Sequence, residues 1–140
     1  MRFTAQEEYG LRCLLQIARS PEGFLTIKGI AEREALTPAY VAKLMRVLRR
    51  AGLVTSTRGK HGGYELAVSA DQVTLGRVMT ALGGSFSTYE FCRKHAGNKR
   101  TCVHELDCAL RPVWMSIDHV VQKALEQTRL GDLVRPRGLS

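Results

Sequence analysis

The chain has 140 residues and a net charge of +8, with 44% hydrophobic and 24% charged residues. These values fit one globular domain with room for a dimerisation element. The sequence also excludes a membrane-spanning helix, because no apolar run approaches the roughly 18 residues that such a helix needs. The opening residues MRFTAQEEYG lack the hydrophobic stretch of a secretory signal, so we expect a cytoplasmic protein with reduced thiols.

The first predicted helix follows Thr4. Thr4 and Glu7 have the spacing of a capping box, in which side chains satisfy the free amides of the first turn. The segment SPEG at 20–23 ends the helix. Cys13 lies four residues before Ile17 on this helix, so we expect a small core residue there rather than a metal ligand. The apolar positions that recur at helical spacing are Leu11, Leu14, Leu15 and Ala18.

A second and a third helix are predicted after Thr26 and after Thr37. Thr37 suits the N-cap, Pro38 suits the first helical position, and Gly52 is placed to end the third helix. The apolar stripe of the third helix consists of Val41, Leu44, Val47, Leu48 and Ala51. Its basic residues lie largely off that stripe, so we expect them to face solvent or a ligand.

The segment LVTSTRGKHGGYELAV then predicts a β-hairpin with a glycine-rich, basic tip. Residues 37–60 contain six Lys or Arg residues and no Asp or Glu, which is typical of a surface that binds nucleic acid. An ordinary loop would explain Gly62 and Gly63 but not the basic residues beside them. We therefore predict a mainly α-helical fold, a winged helix-turn-helix whose small β-hairpin is the wing.

A further helix is predicted from Thr74 to the glycine pair at 83–84, followed by an aperiodic loop over 85–107. Loops of this length inside a compact domain are usually functional. Strong periodicity returns after Pro112, and the apolar positions are Val113, Trp114, Ile117, Val120, Val121, Ala124 and Leu125. We expect this long helix to pair with a second copy of itself, although packing back onto its own domain is the alternative.

Three of the four cysteines lie in the stretch CRKHAGNKRTCVHELDC at 92–108, with gaps of nine and five residues. The absence of a CxxC pair argues against a thioredoxin-like centre. A Cys3His zinc site with His95 or His104 is one interpretation. An iron–sulfur cluster tolerates longer gaps and is favoured modestly. Thiols without a function are the third alternative, although they would be prone to oxidation.

Five segments together make the chain resemble the Rrf2 family of bacterial winged-helix transcription regulators: MRFTAQEEYGLRCLLQIA, LTPAYVAKLMRVLRRAGLVTSTRGKHGGYELA, the three-cysteine loop, LRPVWMSI and LGDLV. The resemblance covers residues 1–134. It implies a homodimer crossed by the C-terminal helix, with an iron–sulfur cluster beside that helix controlling the affinity for a double-stranded, palindromic operator. The recognition helix would span 38–51 and the wing 58–64. The DNA-contact candidates that follow are Thr37, Tyr40, Lys43, Arg46, Arg49, Arg58, Lys60, His61, Gly62 and Gly63.

The same resemblance implies that Cys92, Cys102 and Cys108 hold the cluster, although the first gap is longer than is common in the family. One branch uses a histidine three residues after the last cysteine, a position that Arg111 occupies here. Another branch uses a carboxylate of the first helix from the partner subunit, and Glu8 occupies that position. A third branch uses a glutamate at the Glu8 position together with a histidine four residues later, where this chain has Arg12.

Glu8 is therefore the expected fourth ligand, ahead of Glu7, His104 and His95, and its structural alternative is an acid that favours a first helical turn. A 4Fe–4S cluster is expected over a 2Fe–2S cluster. The expected function is that of a transcriptional regulator, a repressor, which senses redox state, nitric oxide or iron status. A winged-helix regulator without a cluster, with structural zinc or thiol sensing, is the alternative.

An enzyme using Cys102 and His104 is disfavoured, because no base–nucleophile signature accompanies them. The predicted organisation has four parts. Residues 1–84 form the DNA-binding domain, 85–108 the cysteine loop, 109–134 the dimerisation helix with a closing segment, and 135–140 a flexible tail.

Overall fold

The computed structural model describes residues 3–57, 62–83 and 92–135. Within these ranges the chain is mainly helical, with one small sheet. In chain order, the elements are α1 (Ala5–Arg19), β1 (Phe24–Leu25), α2 (Ile27–Glu34), α3 (Pro38–Arg50), β2 (Val54–Thr57), β3 (Gly63–Leu66), a 3-10 turn (Ala70–Gln72), α4 (Leu75–Ala81), α5 (Arg111–Gln127) and α6 (Leu130–Val134).

Helix α1 begins after Thr4 as predicted, but only the Thr4 half of the capping box forms, because the Glu7 carboxylate accepts from the Thr4 hydroxyl and not from a backbone amide. The Glu7 amide donates to the Thr4 hydroxyl at 3.2 Å, and that hydroxyl donates to the Glu7 carboxylate at 3.0 Å. The helix ends at Ser20, inside the predicted SPEG segment. Cys13 is fully buried, which confirms its assignment to the core.

Helices α2 and α3 form the predicted helix-turn-helix. The turn between them passes through Ala35, which has a left-handed backbone with φ of 55°. Thr37 caps α3 by accepting from the Tyr40 amide at 3.2 Å. The end of α3 has paired 3.0 Å bonds, from the Gly52 amide to the Arg49 carbonyl and from the Leu53 amide to the Leu48 carbonyl. Gly52 has φ of 75°, so this ending requires glycine.

The hairpin is confirmed by antiparallel pairing of β2 with β3, in register from Val54 opposite Leu66 to Thr57 opposite Gly63. Its other edge is extended by β1, which the sequence analysis did not predict, so the sheet order is β1-β3-β2. A Cβ on Gly63 would lie 2.6 Å from the Leu25 carbonyl oxygen. Glycine at that position therefore allows β1 and β3 to approach each other.

Helix α4 is capped by Thr74, whose hydroxyl accepts from the Arg77 amide at 3.2 Å, as predicted. Helix α5 runs from Arg111 with Pro112 in its first turn, also as predicted, and packs on α4 where Gly76 faces Leu125. No residue of α5 is buried, and its exposed large apolar residues are Val113, Met115, Ile117 and Val120. No helix in the three described ranges is long and apolar enough to cross a membrane.

After α5 the chain returns to the N-terminal domain. The Leu75 amide donates to the Thr128 carbonyl at 2.9 Å, and the Leu130 amide donates to the Val73 carbonyl at 2.8 Å. Leu130 is fully buried in the main core. Both ends of this return are therefore fixed to the winged-helix domain, a closure that sequence periodicity did not reveal.

Candidate DNA-binding surface and cysteine cavity

The outer face of α3 carries a run of exposed basic side chains. Lys43, Arg46, Arg49 and Arg50 are all exposed. The opposite face buries Val41, Leu44, Met45 and Leu48 in the core. The apolar stripe thus orients the helix so that its cations point into solvent, where a phosphate backbone can reach them.

Tyr40 lies at the first turn of α3 and is half-buried. Its ring meets that of Tyr9 on α1 edge to face, with 6.1 Å between the centroids and 87° between the planes. This contact packs the N-terminal end of α3 against α1. Thr37 is exposed, but its hydroxyl already serves as the cap of the helix.

The wing is described up to Thr57 and again from Gly62. Thr57 fixes the base of the wing, because its hydroxyl accepts from the Gly63 amide at 2.9 Å and donates to the Gly63 carbonyl at 3.1 Å. The DNA-contact candidates Arg58, Lys60 and His61 lie outside the described residues. Gly63 has a structural role in the sheet, and Gly62 is half-buried beside it.

Arg12 joins α1 to α2. Its guanidinium lies 5.3 Å from the centre of the Tyr9 ring and forms a 2.9 Å ion pair with Glu34. Gln16 donates to the other Glu34 oxygen at 2.6 Å. Arg12 therefore packs α1 against α2, the first helix of the helix-turn-helix.

Cys13 lies on the buried side of α1. The pKa of its thiol is raised to about 11, mainly by burial and also by the nearby Glu34 carboxylate, while Arg12 partly opposes both effects. At neutral pH this thiol therefore remains protonated, which makes it a poor nucleophile and a poor metal ligand.

A cavity of about 830 Å³ lies between the cysteine segment and α5. Cys92 and Cys102 both line it, and the α5 side includes Asp118 and His119. The remaining described lining residues are Arg93, Arg100, Thr101, Glu105, Arg111, Met115 and Gln122. The cavity thus brings two of the three predicted cysteine ligands to one space beside the long helix.

Three arginines give the cavity a cationic character. Arg93, Arg100 and Arg111 line it, and Arg111 also donates to the Glu105 carbonyl at 2.5 Å. Asp118 contributes the opposite charge. Its Oδ1 atom is buried and has no hydrogen-bond partner among the described residues. Asp118 is not among the site residues predicted from sequence, because helical spacing alone does not indicate a buried oxygen without a hydrogen-bond partner.

The other predicted ligands lie elsewhere. Cys108 is half-buried and is not among the described lining residues, and none of the four cysteines forms a disulfide. Glu8 is exposed on α1, while His95 and His104 are exposed in the cysteine segment. None of these three lines the described part of the cavity.

Glu7, the other carboxylate candidate, is only 5% exposed and is engaged in the Thr4 cap. Within the described ranges, no group of three or more His, Cys, Asp or Glu side chains could hold a metal ion. The Cys92 and Cys102 thiols instead line the wide cavity beside α5.

Comparison with known proteins agrees with this architecture. A family model named Rrf2, described as an iron-dependent transcriptional regulator, matches residues 3–136. Protein rrf2 of Nitratidesulfovibrio vulgaris Hildenborough is 36% identical over 99% of this chain and 91% of its own length.

Two solved structures are similar over nearly the whole chain. CymR, the global cysteine regulator of B. subtilis, has a TM-score of 0.79 and 30% identity over 96% of both chains. T. potens IscR has a TM-score of 0.75 and 26% identity, over 99% of this chain and 94% of its own. The match of the family model over nearly the whole chain, together with the winged helix-turn-helix, shows that this protein is a DNA-binding transcriptional regulator of the Rrf2 family.

Proposed function

We propose that this regulator is a repressor whose affinity for its operator is controlled by an iron–sulfur cluster held by Cys92, Cys102 and Cys108. The observation that carries the proposal is the wide cavity onto which Cys92 and Cys102 both open. Its position against α5 would place a bound group between the cysteine segment and the helix proposed to pair two subunits.

The donors around the cavity fit such a cluster chemically. Thiolates are the usual ligands of iron–sulfur clusters, and all three cysteines are unbridged. A thiolate-ligated cluster carries net negative charge, which the three arginines that line the cavity would offset. When bound, the cluster supplies electron-transfer chemistry and reactivity toward oxidants or nitric oxide. We favour a 4Fe–4S over a 2Fe–2S cluster, since the expected donors are three cysteines and one distant carboxylate.

Glu8 is the fourth ligand that the family resemblance implies. It is exposed on α1 and does not line the described part of its own cavity, so it would have to come from a second copy of the chain. Glu8 precedes Tyr9, whose ring contacts Tyr40 on α3. A ligand bond at Glu8 would therefore be joined to the recognition helix through one side-chain contact.

The uncovered apolar face of α5 supports a homodimer. Val113, Met115, Ile117 and Val120 are between 41% and 63% exposed in the single chain. Pairing two α5 helices would remove these side chains from water, at about 25 cal/mol of stabilisation for each Å² of apolar surface. A two-fold dimer would bind a palindromic operator with two α3 helices.

DNA binding is proposed to use the exposed cations of α3, Lys43, Arg46 and Arg49, with Tyr40 and Thr37 at the start of that helix. The wing residues Arg58, Lys60, His61 and Gly62 complete the surface. Gly63 shapes the base of the wing through its contacts with β1 and Thr57.

Anaerobic purification of the wild type and two cysteine variants tests the proposed cluster. The wild type and Cys13→Ala, which removes the buried core thiol, should be brown and contain iron and acid-labile sulfide. Cys102→Ser should lose most of both. Equal iron and sulfide in Cys102→Ser, or a wild type without sulfide, would contradict the proposal.

The second candidate function is sensing by thiols or by structural zinc, without a cluster. The similarity to CymR, described as a global cysteine regulator, favours it, as does the partial exposure of Cys92, Cys102 and Cys108. In that case the anaerobic protein would be colourless, with one zinc or no metal. Its operator affinity would then change on treatment with peroxide and recover with a thiol reductant.

A further inference from the structure

A second cavity, of about 430 Å³, lies where the end of α3 meets α4 and α5. Ala51, the C-cap residue of α3, lines it on one side. Arg77 and Thr80 line it from α4, and Gln122 and Glu126 line it from α5. We call it the interhelical cavity. Its described lining shares only Gln122 with that of the cysteine cavity, so it is a separate space at the end of the recognition helix.

Two opposite charges face the interhelical cavity. Arg77 and Glu126 are the charged residues among its described lining, and both are exposed. The Arg77 guanidinium extends toward the end of α3, because its Nη2 atom lies 3.9 Å from the position that a Cβ on Gly52 would occupy. In the described ranges, the side chains of Arg77 and Glu126 form no ion pair, either with each other or with another residue. The cavity therefore has one unpaired cation and one unpaired anion on different walls.

Opposite charges that face one cavity without meeting favour a small ligand that carries both charges. A guanidinium binds a carboxylate through two parallel, charge-assisted hydrogen bonds, and a carboxylate accepts from an ammonium group. One exposed ion pair contributes little in water, so recognition would require both ends of the ligand. The Thr80 hydroxyl and the Gln122 amide can each donate and accept hydrogen bonds, which suits a polar side chain on the ligand.

Gly76 keeps the wall between α4 and α5 open. A Cβ on Gly76 would lie 3.7 Å from the Leu125 Cβ and 3.9 Å from the Glu126 Cγ, which are ordinary contacts. Packing of α4 on α5 therefore does not require glycine at this position. The missing side chain instead leaves space beside Glu126 for a ligand.

We infer that the interhelical cavity is an effector site for a small zwitterion of the α-amino acid class. The ligand carboxylate would bind Arg77 and its ammonium group would bind Glu126. Because Ala51 lines the same cavity, the ligand would contact the end of the recognition helix and alter operator affinity. This inference goes beyond the proposed cluster, since no cysteine takes part in it.

An NMR titration of the full-length chain, labelled with ¹⁵N and prepared anaerobically, tests the inference with L-serine as the probe. L-serinamide lacks the carboxylate and N-acetyl-L-serine lacks the ammonium group, so each removes one charged contact. The variants are Arg77→Gln, Glu126→Gln, Gly76→Ala and Lys123→Ala. Lys123 is the control, because it is exposed on α5 and is not among the described lining residues.

We expect L-serine to shift the amide signals of Arg77 and Thr80 saturably, with a dissociation constant of about 1 mM or below. Arg77→Gln, Glu126→Gln and both modified probes should each weaken binding at least about tenfold, because one charge-assisted contact is lost. Gly76→Ala should weaken binding without lowering the temperature of thermal unfolding, and Lys123→Ala should match the wild type. Saturating L-serine should change the operator dissociation constant of the wild type at least about fivefold.

Absence of saturation at an L-serine concentration about tenfold above 1 mM would overturn the inference. Wild-type binding in Arg77→Gln or Glu126→Gln would overturn it too, as would equal binding of L-serine and either modified probe. Binding that leaves operator affinity unchanged would refute the effector role. These readouts need no cluster, so they are independent of the iron and sulfide contents that test the proposed function.

Discussion

The Tyr9 ring on α1 abuts the Tyr40 ring on α3 edge to face, with their centroids 6.1 Å apart. Arg12 lies over the same Tyr9 ring and pairs with Glu34 on α2. Tyr9 and Arg12 on α1 therefore link this helix to both helices of the helix-turn-helix. The position of α3 depends on α1, the helix that also carries Glu8.

Replacing Tyr9 tests this link. Tyr9→Ala should lower the free energy of unfolding by more than the roughly 0.5–1.5 kcal/mol typical of an aromatic pair, since buried area is lost as well. It should also weaken operator binding, because Tyr40 loses its support. Urea unfolding and a DNA titration measure the two effects. Tyr9→Phe keeps the ring and should match the wild type; an equal loss in both variants would show that the hydroxyl, not the stacking, matters.

Gly10 in α1 and Gly76 in α4 differ in the space available for a side chain: Gly10 is crowded, whereas Gly76 is not. A Cβ on Gly10 would lie 2.7 Å from Cδ1 of Leu82, a core residue only 2% exposed. Gly10→Ala should therefore destabilise the protein by about 1–3 kcal/mol, as overpacking does. A Cβ on Gly76 has ordinary contacts, the nearest at 3.7 Å, so Gly76→Ala should be neutral or stabilise by up to about 1 kcal/mol. Thermal unfolding that ranks the two variants in the reverse order would contradict this packing.

Cys13 predicts a specific dependence of stability on pH. Its pKa is raised from 9.0 to about 11 in the folded protein, so the folded state retains a proton that the unfolded state releases. The contribution of this thiol to the free energy of unfolding is fully present below pH 9. It is lost as the pH rises through about 11, at about 1.4 kcal/mol per pH unit. Urea unfolding from pH 8 to 11 should show a smaller alkaline loss in Cys13→Ala than in the wild type. Parallel curves for the two proteins would rule out this contribution.

The exposed cations of α3 predict how DNA binding varies with salt. The double variant Lys43→Ala and Arg46→Ala should weaken binding to an operator selected by the protein from random DNA. If both residues contact phosphates, the slope of log K against log salt should fall by about two. Lys28→Ala, which removes an exposed lysine from α2, is the control. An unchanged slope in the double variant would place DNA on another surface.

Much of the winged-helix domain was predictable because its signals are local. Thr4, Thr37 and Thr74 each begin a helix through a hydroxyl that accepts a nearby amide, and Gly52 ends α3 with a positive φ. These features depend on residues within one turn of each other. The period of α5 was likewise visible in sequence.

The features that were missed depend on distant contacts. Strand β1 has only two residues and exists because it pairs with β3, some 40 positions later. Arg135 reaches Asp71 at 2.6 Å, a pairing that no local pattern indicates. The buried oxygen of Asp118 likewise results from how α5 packs beside the cysteine segment. These three features depend on contacts between distant parts of the chain, so local sequence patterns could not predict them.

The most direct test of control by the cluster is the operator affinity of one anaerobic preparation, measured before and after removal of its cluster by a chelator. If the cluster controls DNA binding, the two dissociation constants should differ by at least about fivefold, the lower end of typical coupling between sites. The difference should disappear in Cys102→Ser. Equal dissociation constants for the cluster-loaded and cluster-free wild type, at matched salt, would contradict control of DNA binding by the cluster.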